Sequence, residues 1–433
     1  TEFLEVPDEV LINAMREHQK YFAVVDSSNN LMPCFIAVNN TAARDLALSA
    51  TGHERVIRAR LADAQFFYQG DLEVTNDERV EKLKRVVFQA ELGTLFEKSE
   101  RVAKIAAVLA ASVPQSDDLK KKVLRAALLS KSDLVSQVVG EFPKLQGVMG
   151  RIYAGIAGEP PEVAAAIEEH YRPVYSGAPL PETLVGAILS IADKMDSICG
   201  CFSVGLIPTG ASDPYALRRQ GIGIIQIMNA RGLAFPLREL IRRSLEQFGK
   251  TKAAQGEELI EKVHTFLKNR ISHLLAEEGF SKDVIAAIVS VAVDDVPNVR
   301  KRVKALESLK ARPDFEPLAV GFKRVVNIIR KSGPKDEGAA LEAVDDMLFE
   351  HESEGALLEE YKAVDRRVSE AMQKESFNQA LVEIASLRNA VDRFFDGVMV
   401  MAEDSRIRRN RLALLGHIAA LFGKLADFSK LST

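Results

Sequence analysis

Four arginines within six residues, Arg406, Arg408, Arg409 and Arg411, open the last long helical segment of this chain. Just before them runs Phe394-Phe395-Asp396-Gly397-Val398-Met399-Val400-Met401-Ala402, closed by Glu403 and Asp404. Leu412, Leu415, Ile418, Ala419 and Phe422 then recur at helical spacing, so one side should pack while the arginine side stays in water. A guanidinium is always charged and grips anionic oxygens in pairs. The chemistry expected at this helix end is therefore the binding of an anion, and a folded RNA is the leading candidate. A second basic group, Lys323, Arg324, Arg330 and Lys331 with Asn327, lies beside the apolar stripe Phe322, Val325, Val326 and Ile329. A third, Arg218-Arg219, follows the loop Pro208-Thr209-Gly210-Ala211-Ser212-Asp213-Pro214. The plain alternative for any one arginine is an intrahelical pair, such as Asp404 with Arg408.

Composition limits these readings. The 433 residues carry 57 Lys+Arg and 61 Asp+Glu, a net charge of −4, which excludes a polycation that binds any nucleic acid indiscriminately. Residues 300–433 hold 23 Lys+Arg and 22 Asp+Glu, so binding must come from local patches. A hydrophobic content of 47% suits two or three domains with their own cores. Tryptophan is absent and aromatics make up 6%, which fits a mostly helical chain better than a β-sandwich. Cys34, Cys199 and Cys201 are too few for a disulfide scaffold and point to a reducing cytoplasm. No apolar run reaches the roughly 20 residues of a membrane helix, so no membrane partner is expected. No signal peptide is visible, and the opening Thr1-Glu2-Phe3 reads as the start of a piece of a longer polypeptide.

Catalytic and metal motifs are missing. Cys199-Gly200-Cys201 has no second pair and no nearby histidine, whereas zinc needs three or four protein ligands. His18, His53 and His170 stand apart from one another. Gly221-x-Gly223 lacks the third glycine of a dinucleotide fingerprint, and neither a phosphate loop nor a Gly-x-Ser-x-Gly elbow occurs. The expectation is no catalytic residue and no metal on this chain.

The elements that must position the basic groups are mainly α. A short helix over Val10 to Gln19 precedes two β-prone runs, Tyr21 to Val25 and Leu31 to Val38, joined by the turn-rich Asp26-Ser27-Ser28-Asn29-Asn30. From His53 the period is helical, with Val56, Ile57, Leu61, Ala64 and Phe67 on one face. Helices are expected over Val80 to Phe96, Arg101 to Val113, Val123 to Val139, Glu162 to His170, Thr183 to Phe202 and Tyr215 to Met228. Frequent prolines between them imply an irregular bundle. Three more helices are expected within 236–300, and Ser332-Gly333-Pro334 should stop the one that begins after Pro317. The expected division is 1–70, the end of a body region with a β-hairpin; 71–235, a helical domain; 236–300, a helical linker; and 301–433, a helical binding domain.

Several stretches together resemble the β subunit of bacterial glycyl-tRNA synthetase. They are His18-Gln19-Lys20-Tyr21-Phe22, Arg58-Ala59-Arg60-Leu61-Ala62-Asp63-Ala64-Gln65-Phe66-Phe67, Glu141-Phe142-Pro143-Lys144-Leu145-Gln146-Gly147-Val148-Met149-Gly150, Asp213-Pro214-Tyr215-Ala216-Leu217-Arg218-Arg219, and the end of the chain from Asp392 to Leu431. The resemblance implies the C-terminal part of a tRNA-binding subunit in an α2β2 enzyme, which positions tRNA(Gly) for glycylation. ATP, Mg²⁺ and glycine chemistry are implied for the α subunit, with no cofactor on this chain. It implies a C-terminal anticodon-binding domain and a middle domain similar to HD-type helical domains, in degenerate form. Lys98 stands in Lys98-Ser99-Glu100-Arg101 where such domains place their first histidine ligand, and Ser130-Lys131 replaces the His-Asp pair. His170 and Asp193 match later ligand positions. Two ligands cannot hold a metal firmly, so an HD-type phosphohydrolase of this kind should be inert. Lys98 and Lys131 are expected instead to attract an RNA backbone. A helical scaffold with no RNA role is the third reading, consistent with the neutral charge balance.

Overall fold

The computed structural model describes all residues except 1, 43, 115–116, 250–255, 314, 333–335, 337 and 433, together with all described side chains but those of His18, Pro317, Leu318 and Lys331. The fold is mainly α. Its helices are α1 (Asp8–Gln19), α2 (Leu46–Leu72), α3 (Asn76–Lys82), α4 (Leu95–Ser112), α5 (Asp117–Leu129), α6 (Gln137–Glu141), α7 (Val148–Ile156), α8 (Pro161–Glu169), α9 (Leu184–Ser203) and α10 (Leu217–Arg231). They continue with α11 (Leu237–Leu245), α12 (Gly256–Glu277), α13 (Lys282–Ala292), α14 (Val296–Lys310), α15 (Phe315–Lys331), α16 (Glu352–Gln373), α17 (Phe377–Ser386), α18 (Arg388–Gly397) and α19 (Ser405–Gly423). Two antiparallel hairpins join them: β1 (Phe22–Val25) with β2 (Leu31–Ile36), and β3 (Val87–Gln89) with β4 (Gly93–Thr94).

The chain divides into two compact units, 1–227 with 240–263, and 228–239 with 264–433. The expected segments 1–70 and most of 71–235 thus share one unit, and most of 236–300 joins 301–433 in the other.

In the first unit, α4, α5, α8 and α9 pack together. Residues Val185–Cys201 of α9 are buried on nearly every side, which marks a central helix. Thr183 caps its first turn by accepting from the Gly186 amide, and Glu169 in turn accepts from Thr183. A second cluster joins α1, the β1–β2 hairpin, α2, α6 and α7 through Leu11, Ile57, Tyr68, Val138, Phe142 and Met149. Asp71, at the end of α2, ties it by accepting from the Gln137 and Val138 amides and the Tyr153 hydroxyl at 2.8, 3.0 and 2.7 Å.

Two expected helices are corrected. Val80 to Phe96 is interrupted by the β3–β4 hairpin, because Gly93 at φ +86 turns the chain. The capping box Thr94/Glu97 then starts a new helix. Val123 to Val139 breaks after Leu129, where Ser130 folds back onto the Ala127 carbonyl, and Ser136 caps a separate α6. The end expected for α15 at Gly333-Pro334 lies outside the described residues, although α15 stops at Lys331.

In the second unit the core is aromatic. Phe322 of α15 meets Phe422 of α19 at 3.9 Å between ring centres and Phe428 at 4.7 Å. The Asp427 amide bonds the Ala287 carbonyl at 2.9 Å, fastening the chain end to α13. Gly416 lets α19 approach the backbone at Ala340 so closely that a Cβ would lie 2.0 Å from the Ala340 oxygen. Phe322→Ala should destabilise the chain by about 3–5 kcal/mol, as for other large-to-small core changes. Urea unfolding followed by circular dichroism measures this, and Val320→Ala on an exposed position is the control.

Candidate functional site

The arginines of α19 do not form a bare cationic face. From Asn410 to Ile418 the helix is buried almost all round except at His417, so its apolar spacing marks a central helix rather than a surface one. Asp404 caps the helix by accepting from the Arg406 amide, and its carboxylate pairs with the exposed Arg406 side chain at 3.2 Å. Arg408 does not form the expected pair with Asp404. It turns to the buried Asp336 at 2.9 Å and to the Ala402 carbonyl at 2.9 Å. Half-buried Arg409 pairs with Glu342. Arg411 is buried, bonded to Glu354 at 2.8 Å, Glu350 at 3.0 Å and the Met399 carbonyl at 3.1 Å. Burial opposes ionisation of Glu354, yet the Arg411 bonds and the His351 and Glu350 amides hold its carboxyl below the usual range.

These bonds do one structural job. They fasten Asp336 and two loops, 338–350 and 398–404, against the start of α19. Asn410 adds a reciprocal pair with the backbone of Asp345, both bonds at 2.8 Å. The two loops held this way carry Leu341, Met347, Met399 and Met401, which are 91, 87, 78 and 47% exposed. Large apolar side chains held out in water by buried ion pairs are a site signal. Met399 and Met401 sit in the apolar run noted in the sequence, which by itself does not show that they are exposed. Leu341 and Met347 carried no signal, because only the fold reveals their exposure.

The α15 group faces outward. Asn327 and Arg330 are exposed, Lys323 is half-buried, and Arg324 lies over the Phe395 ring at 4.1 Å. The Lys331 side chain lies outside the described residues. Phe322 packs on Phe422 while Asp336, beyond the end of α15, pairs with Arg408, so α15 and α19 run antiparallel. Arg330 therefore belongs to the same end of the unit as Arg406 and the two loops. In the other unit, Asp213 caps α10 through the Leu217 and Arg218 amides, with Arg218 half-buried and Arg219 exposed.

Lys98 and Lys131 are a correction. Both are buried, at 3 and 5% exposure, so no phosphate reaches them. Lys98 on α4 bonds Asp196 at 3.0 Å and Ser197 at 2.8 Å, and lies 3.3 Å from Asp193. Arg101 shares Asp196 at 2.7 Å. Lys131 sits 2.7 Å from His170 Nε2 and 3.3 Å from Asp193. Lys194 donates to the His170 and Arg172 carbonyls and to Ser190 Oγ, three acceptors for the three protons of an ammonium. Burial, then the Lys131 charge, push His170 well below its ordinary 6.5, so the imidazole is neutral. Burial works against Asp193, but Lys131 and Lys98 hold its carboxyl far below the carboxylate range. The same balance lowers Lys131 by burial, while Asp193 and Asp196 outweigh burial at Lys98 and raise it. A metal does not fit here, because the Lys131 ammonium already lies between the imidazole and the carboxylate. No group of three or more His, Cys, Asp or Glu placed to hold a metal occurs among the described residues.

Comparisons with known proteins agree along the whole chain. The family model described as glycyl-tRNA synthetase beta subunit matches residues 1–290. The chain belongs to that family. A second model, the DALR anticodon binding domain, matches residues 318–428, which hold most of α15, all of α16 to α19 and both clamped loops. The glycine–tRNA ligase beta subunit of Desulforapulum autotrophicum is 55% identical over 429 residues, 99% of this chain. That of Desulfatibacillum aliphaticivorans is 53% identical over all 433 residues, and that of Geotalea uraniireducens 48% identical over 431. The chain spans 61–62% of the length of these relatives. Within the family region, the buried lysine cluster lies in the part matched by the beta-subunit model, and the arginine clamp lies in the DALR match.

Two stability tests follow from these clusters. Arg411→Met leaves Glu354 buried without its cation and should cost about 3–5 kcal/mol in urea unfolding; Arg411→Met/Glu354→Gln should recover part of it. The second concerns Asp133, whose Oδ2 accepts from the Gly147 and Gly150 amides while Oδ1 has no hydrogen-bond partner. Burial raises its carboxyl from 3.8 to about 6. The folded state then binds the proton more tightly than the unfolded state, so this group's contribution falls as pH rises from about 4 to about 6. The full effect is about 3 kcal/mol. Asp133→Asn should abolish that decline, seen as the difference between the two stability–pH curves.

Proposed function

We propose that this chain is the tRNA-handling portion of the β subunit of a glycine–tRNA ligase. In this reading it holds tRNA(Gly) while an α subunit, in an α2β2 assembly, joins glycine to the tRNA with ATP and Mg²⁺ in the cytoplasm. The observation that carries it is the end of the DALR-matched region. There, ion pairs hold Leu341, Met347, Met399 and Met401 in water beside the exposed Arg406. Sequence-specific recognition of RNA works on unpaired bases, which offer apolar faces and polar edges. Splayed anticodon bases lie against the apolar platform, and the polar Asn327 reaches a base edge. Arg406, Lys323, Arg324 and Arg330 contact phosphates of the loop and stem, fixing register without reading sequence. Arg409 keeps Glu342 in place, and Arg408 and Arg411 act by holding the loops. Arg218 and Arg219 contact a second stretch of backbone. The metal-dependent phosphohydrolase alternative is not favoured, because lysines stand in its ion's place.

Affinity for tRNA(Gly) tests this by filter binding across salt. The four contacts of Arg406, Lys323, Arg324 and Arg330 by themselves require that raising salt from 50 to 200 mM weaken binding by at least about a hundredfold. Neutralising Arg330 and Arg406 together to glutamine should reduce the slope of log affinity against log salt by about two. Met399→Ala/Met401→Ala should weaken binding roughly tenfold with the slope unchanged, the scale of one buried apolar side chain. Salt-independent binding, or a methionine variant that binds as wild type, would overturn the assignment.

A further inference from the structure

We propose that the Lys98 and Lys131 ammoniums are built-in replacements for a divalent cation, and that exchanging them for ligand side chains turns this pocket into a metal site. The inference rests on the geometry of the first unit and is independent of the RNA reading. His170 Nδ1 lies 2.7 Å from the Ile167 carbonyl, which accepts its proton. That bond fixes the tautomer and turns the Nε2 lone pair inward, as the backbone bond of a metal-bound imidazole does. The lone pair meets the Lys131 ammonium at 2.7 Å. The Asp193 carboxylate completes the contact, at 3.3 Å from both Lys131 and Lys98. A neutral imidazole and a carboxylate, oriented and buried around one positive centre, are a metal donor set with ammonium in the metal's place.

The surroundings support this reading. Asp133 Oδ1 is buried without a hydrogen-bond partner, and the Lys131 ammonium lies over the Tyr171 ring at 4.2 Å, so the cation is enclosed by π face, imidazole and carboxylate. Asp196 and Arg101 balance Lys98 on its other side. A tethered ammonium, unlike a metal, cannot dissociate. It joins α4, the end of α5, α8 and α9 permanently, and makes their packing independent of metal supply. A lysine also reaches farther than histidine or aspartate, by roughly one metal–ligand bond of about 2 Å. Histidine at 98 and aspartate at 131 would therefore stop short of the present ammonium positions and leave room for an ion.

The test uses the whole chain and Co²⁺, whose visible bands report tetrahedral or five-coordinate binding. Metal-stripped Lys98→His/Lys131→Asp should take up one Co²⁺ per chain about a hundredfold more tightly than wild type. Adding His170→Ala to that background should abolish it. If the double variant is unfolded without metal, Co²⁺ should restore its helical circular dichroism. Lys131→Met should unfold at lower urea than wild type, and no metal should rescue it. The proposal fails if the double variant binds Co²⁺ no better than wild type, or stays unfolded with Co²⁺. It fails equally if Lys131→Met is as stable as wild type, or if wild type itself takes up Co²⁺ through His170.

Discussion

A cation removed from water must be surrounded by groups that replace water, and this requirement organises both units. In the first, Lys98, Lys131 and Arg101 converge on Asp193 and Asp196. In the second, Arg408 and Arg411 converge on Asp336 and Glu354. Breaking such a pair strands a charge in a medium that solvates it poorly, so each pair pins its elements in one arrangement. In the lysine cluster the pinned elements are helices. In the arginine clamp they are loops, which would otherwise lack a packed core of their own.

That difference explains how one type of interaction serves two ends. The lysine cluster is closed: its charges are paired internally, between α4, α9 and the end of α5. The arginine clamp is open on one side. Its charges face inward, and what it presents outward is apolar. A surface that meets RNA needs both phosphate contacts and something for exposed bases to lie against. In the proposed reading these roles are divided: Arg406, Arg330 and Asn327 are exposed, while Arg408 and Arg411 lie beneath.

Much of the helical fold was legible in the sequence. α8, α9 and α15 follow their apolar spacing, and the first hairpin follows its turn residues. The second hairpin was not legible, because Val86 to Thr94 lies between helix-prone segments and only the positive φ of Gly93 with the Thr94/Glu97 capping box marks the break. The basic groups were found by composition, but their directions were not. Lys131 and Arg411 look like surface residues in a linear reading, since nothing local announces that Asp193 or Glu354, each more than 50 residues away, will supply a partner.

The sequence alone determined the family, the helical class, the run Phe394 to Ala402 and the cations around it. These depend on residue identity and on spacing along one chain, where neighbours three or four apart must share a helix face. Tertiary structure alone decided which cations are available to a partner and which are consumed inside. That choice depends on long-range pairing of opposite charges during burial, an energy set by distance in space and by loss of water, neither of which linear spacing encodes.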